Sequence, residues 1–584
     1  MTEPVHRPVG LETEYGVLQP GNPYANAVAM STRVVAAYAA RSRPGLTSAD
    51  GAPVAPVRWD YEGEDPLADL RGGHLTRAGA HPSMLTDDPT RPAPSGDAAE
   101  DLDLPPAPWG ARPRPGEAEA ALPRATTAVL ANGARLYVDH AHPEYASPEV
   151  LSPLDALTWD RAGEVIARRA MTALAQDEGT ADEEVVLYKN NVDGKGAAYG
   201  SHESYLVRRD LPVDLLVAAL IPFLVTRPVI AGAGRVGIGQ RSERAGFQIS
   251  QRADYVQTDI GLQTTFNRPI VNTRDEPHAD ATRWRRLHVI NGDANRLDTP
   301  IYLKVATTNL LLWYLERARG EDLGTLTGLA ELALVRDPVE EHWAMSHDTS
   351  LSHELVTASG PLTALVIQRR YLDLVRTALE EDAQAGAVTG PDTRAALALW
   401  DEVLGGLETY AAALGTPHEA AATAVVARDV EWVAKKQLCE ALRARTATGW
   451  QDERLAALDI QWADLRAGKG IAEKLIAAGR TRRLVTDAEV ERAADTPPSG
   501  TRAAVRGRAV AGAAEVVAAS WTSLVLDVPG SPSLMRLALP DVACDEARAQ
   551  ALLEELRTAA HPDAERPAGG PIGPSTTTGG RLTP

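Results

Sequence analysis

The sequence predicts an α+β protein, on three observations. Segments with alternating polar and apolar residues recur through the first 300 positions. Residues 300–495 carry an almost continuous helical pattern. A break at "DTPPSGTRA" (495–503) precedes a short mixed segment, 504–560. Strands first and helices afterwards are the order of an α+β chain. The expected division is a large domain over 1–495, a small C-terminal domain over 496–560 and a disordered tail over 561–584.

The elements follow in order. "PVGLETEYGV" (8–17) reads as a strand and "AVAMSTRVVAAYAARS" (27–42) as a helix. From about 46 to 124 the composition shifts, and the segment reads as a mobile insertion. Its stretch 81–124 is rich in Pro, Asp, Glu and Ala and holds too little apolar surface to offset ordering. The preceding "VRWDYEGEDPLADLRGG" (57–73) carries Trp59 and Tyr61 among charges, the character of a segment that docks. "GARLYVD" (133–139) is a strand. Ser152 is placed as N-cap and Pro153 as N1 of a helix whose apolar positions are Leu154, Leu157, Val165 and Ile166. "EVVLYKN", "GFQISQR", "RPIVNT", "RRLHVING" and, near the end, "SWTSLVLDV" read as further strands.

Composition limits the function classes. The chain has 584 residues, 44% hydrophobic and 24% charged, as in soluble globular proteins. A net charge of −20 argues against nucleic acid as the main partner, which would need a basic footprint. Cys439 and Cys544 form neither a disulfide framework nor a metal-type spacing. The start, "MTEPVHRPVG", has no apolar signal-peptide core, and the apolar run 211–225 is too short to span a bilayer. It reads as a buried helix. A cytoplasmic protein without a membrane partner is expected.

The chemistry lies on polar strand faces. Alternation points Ala134, Leu136 and Val138 into a core and Arg135, Tyr137 and Asp139 the other way. Likewise Glu12 and Glu14 share a face opposite Leu11 and Thr13. One such strand is the ordinary mark of a solvated sheet face. Two strands with acids on that face, the second leading into "HAHPEY" (140–145), suggest a cation between carboxylates, and hard oxygen ligands suit Mg²⁺. Further polar clusters, 188–206 with His202 and 271–281 with Arg274, Glu276 and His278, can add to a shared cation site. "GAGRVG" (232–237) fits G-x-G-x-x-G, but no helical period follows it, so dinucleotide binding is rejected.

Six of these stretches together resemble the depupylase family: "GLETEYG", "NGARLYVDHAHPEY", "YKNNVDGKGAAYGSHESYL", "GFQISQRADY", "NTRDEPHADA" and "RRLHVINGDAN". Depupylases deamidate Pup, the prokaryotic ubiquitin-like protein, and remove it from tagged proteins. The resemblance implies a glutamine-synthetase-like fold: a curved, mainly antiparallel sheet forming a cradle, helices outside and a small C-terminal domain. The sister Pup ligase has one more residue between its catalytic Asp and the HPEY Glu than Asp139 and Glu144 have here. It also lacks the loop that "RWDYEGEDPLADLRG" resembles. Pup ligation and an inactive Pup-binding regulator remain the alternatives.

By the same resemblance Asp139 is the catalytic residue, as nucleophile or as activator of water. Glu12, Tyr137, Glu144, Glu14, His202 and His278 are the Mg²⁺ set. Arg135, Ser147, Arg274 and Trp521 contact the nucleotide, which is ATP (or ADP with phosphate) acting as a cofactor. Pup is small and acidic, so a locally basic groove is expected, with Arg227, Arg235, Arg241 and Arg252 in its region. Pup and pupylated proteins are the implied partners, with the proteasomal ATPase as a further one.

Overall fold

The computed structural model describes residues 2–48, 51–81, 84–85, 109–112, 114, 126–180, 184–193, 196–237, 245–317, 327–446 and 448–560. The expected tail, Arg241 and most of 81–124 lie outside the described residues.

Eight strands build the main sheet: β1 (Val9–Glu14), β2 (Thr127–Val129), β3 (Arg135–Asp139), β4 (His142–Ala146), β5 (Ser201–Arg208), β6 (Thr258–Gly261), β7 (Pro269–Asn272) and β8 (Trp284–Val289). Their order is β6-β7-β8-β5-β1-β4-β3-β2. Only β6 and β7 run parallel, so the sheet is the mainly antiparallel cradle expected. Alternation sorts its two faces. Leu11, Leu136, Tyr145, Tyr205, Val207, Leu287 and Val289 are buried in the main core. That core is closed by helices, chiefly Pro153–Glu178, Val213–Thr226 and Asp298–Arg317.

The 153–178 helix starts as its sequence dictates. Ser152 Oγ accepts from the Asp155 N–H at 3.0 Å, and Pro153 occupies N1. Leu157, Val165 and Ile166 are buried, but Leu154 is 44% exposed. It sits in the first turn, before the helix settles onto the sheet. The 211–225 run is the buried helix expected. Where a dinucleotide turn would need a helix, Arg235–Gly237 is a short strand paired with Gly246–Gln248.

A second sheet has five strands, in the order 58–59, 516–519, 523–526, 534–538, 109–112. Two of them come from the segment read as an insertion. Trp59 is buried in this sheet's core with Leu524, Leu526 and Leu537, and Trp109 packs on its edge. The expectation that 81–124 contributes no packing is thus corrected at 109–112. Composition averaged over a Pro-rich stretch hides the single aromatic that anchors it.

The two sheets are joined through Glu149. Arg502 Nε donates to Glu149 Oε1 at 2.6 Å, and Arg506 closes on Oε2. Arg506 also donates to the carbonyls of Gly133 and Trp521. Burial works against charge at Glu149, but the two guanidiniums outweigh it and bring its carboxyl down to about 2. A depressed carboxyl contributes stability in full above its unfolded value of 4.5 and loses it as pH falls towards 2. Glu149→Gln is therefore expected to lower stability by about 3–5 kcal/mol at pH 7, because two buried cations lose their partner. It should also flatten the acid limb between pH 4.5 and 2. Urea midpoints across pH test this, and a midpoint within ~0.5 kcal/mol of wild type would contradict it.

Candidate active site

The register of the cradle sets its polar face. Glu12 lies between Ala146 on β4 and His202 on β5, and Glu14 opposes Glu144. Glu144 in turn opposes Tyr137, and Asp139 opposes His142 across the two-residue hairpin 140–141. Glu12, Glu14, Tyr137, Asp139, Glu144 and His202 all line one cavity of about 580 Å³. The shared faces read from β1 and β3 therefore converge on one chamber.

Two donor sets form within it, each with atoms inside 4.8 Å of one another: Glu14, Asp139 and Glu144, and separately Glu12, His202 and His288. Three carboxylates so close repel. At Glu144, burial and then the charges of Asp139, Glu14 and Glu12 drive the carboxyl well above its ordinary range. At Glu12, burial is outweighed by the nearby imidazoles of His202 and His288 and by the Arg286 guanidinium, so its carboxyl lies well below. Both ring nitrogens of buried His288 lack a hydrogen-bond partner, and His288 Nε2 is 3.7 Å from Glu12 Oε2. An orphaned imidazole beside a carboxylate, and an all-oxygen set next to it, are the donors a divalent cation takes up, the oxygen set suiting Mg²⁺.

Beside these sets stands an aromatic wall. The Arg135 guanidinium lies 4.2 Å from the Trp59 ring and 3.9 Å from Tyr137, and donates to the Tyr61 hydroxyl. Trp59 meets Trp521 edge to face at 5.0 Å. The 57–73 segment does dock, as its composition suggested. Leu70 N–H donates to Thr273 O, Asp275 N–H to Ala68 O, and Asp65 N–H to Glu276. It carries Glu64 into the cavity wall, where burial, opposed by Arg135, raises its carboxyl to about 7.

Some expected site residues are placed otherwise. His278 belongs to neither donor set; it sits in the turn after β7 with φ +48°, beside Glu276, and burial holds its imidazole down to about 4. His288 takes that place because β8 neighbours β5, and its ring meets His202 at 5.1 Å. Alternation of Arg286 and His288 along "RRLHV" was the available signal. Ser147 is buried, and its hydroxyl is committed to the Leu11 N–H and the Pro148 carbonyl. It lines a smaller cavity of about 90 Å³ together with Trp521. Arg274 lines the main cavity and pairs with Glu276 at 2.9 Å. Arg227 is no groove residue: it is buried with its fork on Glu203. Arg235 is likewise buried, against Asp254. Alternation and charge counts cannot distinguish such internal counter-ions from a surface patch. Arg252 is buried too, but it faces the cavity, as does Arg268, which the sequence reading did not single out.

Residues 7–525 match the family model described as Pup-ligase protein. The chain is 41% identical over 560 residues to the Pup deamidase/depupylase of Mycolicibacterium smegmatis, covering 95% of this chain and 98% of that one. A solved complex between Pup and its ligase PafA superposes with a TM-score of 0.67 at 26% identity, covering 97% of this chain and 99% of that one. PafA in complex with ADP gives 0.62 at 33% identity, over 74% and 90%.

Gly200 shows how closely the donor sets are built. A β-carbon there would lie 2.1 Å from His202 Nε2 and 2.8 Å from Glu14 Oε1. Gly200→Ala must displace one ligand from each set and is expected to weaken Mn²⁺ binding, as a probe of the cation sites, at least ~10-fold. Calorimetric titration reads this directly. Wild-type affinity in a folded variant would remove both side chains from the proposed sets.

Proposed function

The chain belongs to the Pup-ligase protein family, and from that premise we propose that it is a Pup deamidase and depupylase. It hydrolyses the isopeptide bond between the side chain of Pup's C-terminal residue and a substrate lysine, and converts a C-terminal Gln of Pup to Glu. The observation that carries the reading is the hairpin that sets Asp139 beside Glu14 and Glu144 with only two residues between its strands. Near-complete coverage of depupylase relatives supports it. Among the described residues no helix is long and apolar enough to cross a membrane. We place the protein in the cytoplasm, with Pup, pupylated proteins and the proteasomal ATPase as partners.

Asp139 is the reacting carboxylate. As nucleophile, its oxygen attacks the side-chain amide carbon, the C–N bond breaks, and lysine amine or ammonia leaves with a proton. Water then hydrolyses the resulting anhydride. As base, Asp139 instead takes the proton of the attacking water. Either route needs an oriented carboxylate, and the hydrogen bond between Asp139 Oδ2 and His140 Nδ1 at 2.8 Å supplies that orientation. His140 reaches it from φ +50°, a backbone region that non-glycine residues seldom occupy. The oxygen set fits Mg²⁺, and the Trp59, Trp521 and Arg135 wall fits an adenine nucleotide. Glu14 and Glu144 would hold the ion there, Glu12 and His202 would hold a second divalent cation, and Arg274 and Arg286 would face the phosphates. When bound, the ion neutralises phosphate charge and polarises the scissile carbonyl.

Asp139→Asn is expected to lower cleavage of a Pup-tagged protein by ~10²–10⁴-fold while the fold and nucleotide binding persist. A variant keeping more than about a tenth of wild-type rate, a loss under ~1.4 kcal/mol, would remove Asp139 from the reaction. Cleavage should also cease in EDTA and after nucleotide is stripped. Full activity under either condition would count against the cofactor assignment, and conjugate formation from ATP, Pup ending in Glu and an acceptor lysine would favour the ligase.

A further inference from the structure

Helix Ala503–Gly512 lies against the turn that feeds β3, too closely for a β-carbon at the point of contact. One built at Gly507 would stand 2.4 Å from the Ala131 carbonyl oxygen and 2.9 Å from the Gly133 amide nitrogen. Arg506, next to it, is fully buried. Its Nε donates to the Gly133 carbonyl at 2.9 Å, one terminal nitrogen donates to the Trp521 carbonyl at 3.1 Å, and its fork closes on Glu149. The same guanidinium lies 4.9 Å from the Trp521 ring. Trp521 stands at the tip of the hairpin between strands 516–519 and 523–526, and its ring meets Trp59. Two residues beyond Gly133, Arg135 packs on the Trp59 and Tyr137 rings, and Asp139 follows on the same strand.

One side chain thus touches both halves of the aromatic wall: the strand end behind Arg135 and the hairpin tip that carries Trp521. A buried ion pair is by itself weak evidence for a stabilising role, since apolar side chains of similar volume often replace one without loss. What an apolar side chain cannot do is hold two carbonyls and a carboxylate from three segments at fixed angles. The planar fork of arginine does. We infer that Arg506 is a positioning residue for the nucleotide site, fixing Trp521 in register with Arg135. It acts from behind the wall, because it lines neither of the two cavities that Trp521 lines. A shift of ~1 Å in a binding wall is enough to cost affinity, so the support matters as much as the contact. The inference rests on the nucleotide assignment above and adds the group that keeps the two parts of its wall together.

Arg506→Lys is the first test. A lysine keeps a positive charge against Glu149, but its single nitrogen cannot also span the Gly133 and Trp521 carbonyls. Calorimetric ADP affinity is expected to fall ~10-fold. Mn²⁺ affinity of the donor sets, measured without nucleotide, should stay within ~2-fold of wild type, as additivity requires of a group that touches neither set. Gly507→Ala moves the helix off the turn while leaving Arg506 in the sequence, and it should weaken ADP binding by a similar factor. A role confined to stability would lower the urea midpoint and leave the folded variants with wild-type ADP affinity, and that result overturns the inference. Parallel loss of Mn²⁺ and ADP affinity would mark general distortion of the sheet and overturns it as well. Amide hydrogen exchange on the wild-type protein gives an independent arm. Saturating ADP should slow exchange in 503–510 by a larger factor than in helix Pro391–Ala413, which packs in the main core. Equal slowing of both overturns the positioning role even if neither variant folds. Absence of ADP binding by wild-type protein sinks the nucleotide assignment and this inference with it. ADP binding indifferent to both substitutions sinks the inference alone.

Discussion

Carboxylate repulsion governs this molecule. Glu12, Glu14, Asp139 and Glu144 stand on three adjacent strands of one sheet face, with three of them inside a single 4.8 Å cluster. Such a face cannot be turned into a core. It must be roofed by cations, polar groups or ligands. The surroundings comply: His202, His288 and Arg286 meet Glu12, His142 approaches Glu14, and His140 holds Asp139. The opposite face is correspondingly apolar and carries the helices. One alternation rule thus fixes both the core and the polar cavity.

Much of this was legible in the sequence because strands have a period of two. The partition of "RLYVD" and "LETE" into core and cavity faces follows from spacing alone, and the capped start of the 153–178 helix follows from Ser152 and Pro153. What escaped was anything set by strand order rather than by strand content. His288 meets His202 only because β8 lies next to β5, and no local pattern announces that adjacency. The same holds for the arginines. Arg227 and Arg252 look alike in sequence, yet one is neutralised by Glu203 within the core and the other lines the chamber, its fork on the Tyr199 and Ile290 carbonyls. Ser147, expected at the nucleotide, ties a strand end to Leu11 and lines the smaller cavity beside Trp521.

The early segment shows a different limit. Averaged over 46–124, composition speaks for disorder, and much of the stretch lies outside the described residues. Yet Trp59 and Trp109 each anchor a short strand in the second sheet. Placing Trp59 there brings Tyr61 and Glu64 to the cavity wall and sets Arg135 between rings. A docking segment on the wall of the carboxylate-lined cavity thus owes its position to a sheet assembled mostly from the other end of the chain.

That division of the second sheet bears on how the protein is made. Strands 58–59 and 109–112 leave the ribosome some 400 residues before their partners at 516–538. Domains generally form as units during synthesis, but this sheet closes only after its last strand is released. Contacts of such sequence separation are slow to form. Until then Trp59 and Trp109 belong to an unfinished layer, open to chaperones and to aggregation. The wall contributed by Trp59 and Trp521 is among the last parts to be completed, so a truncated nascent chain cannot prematurely present a finished cavity.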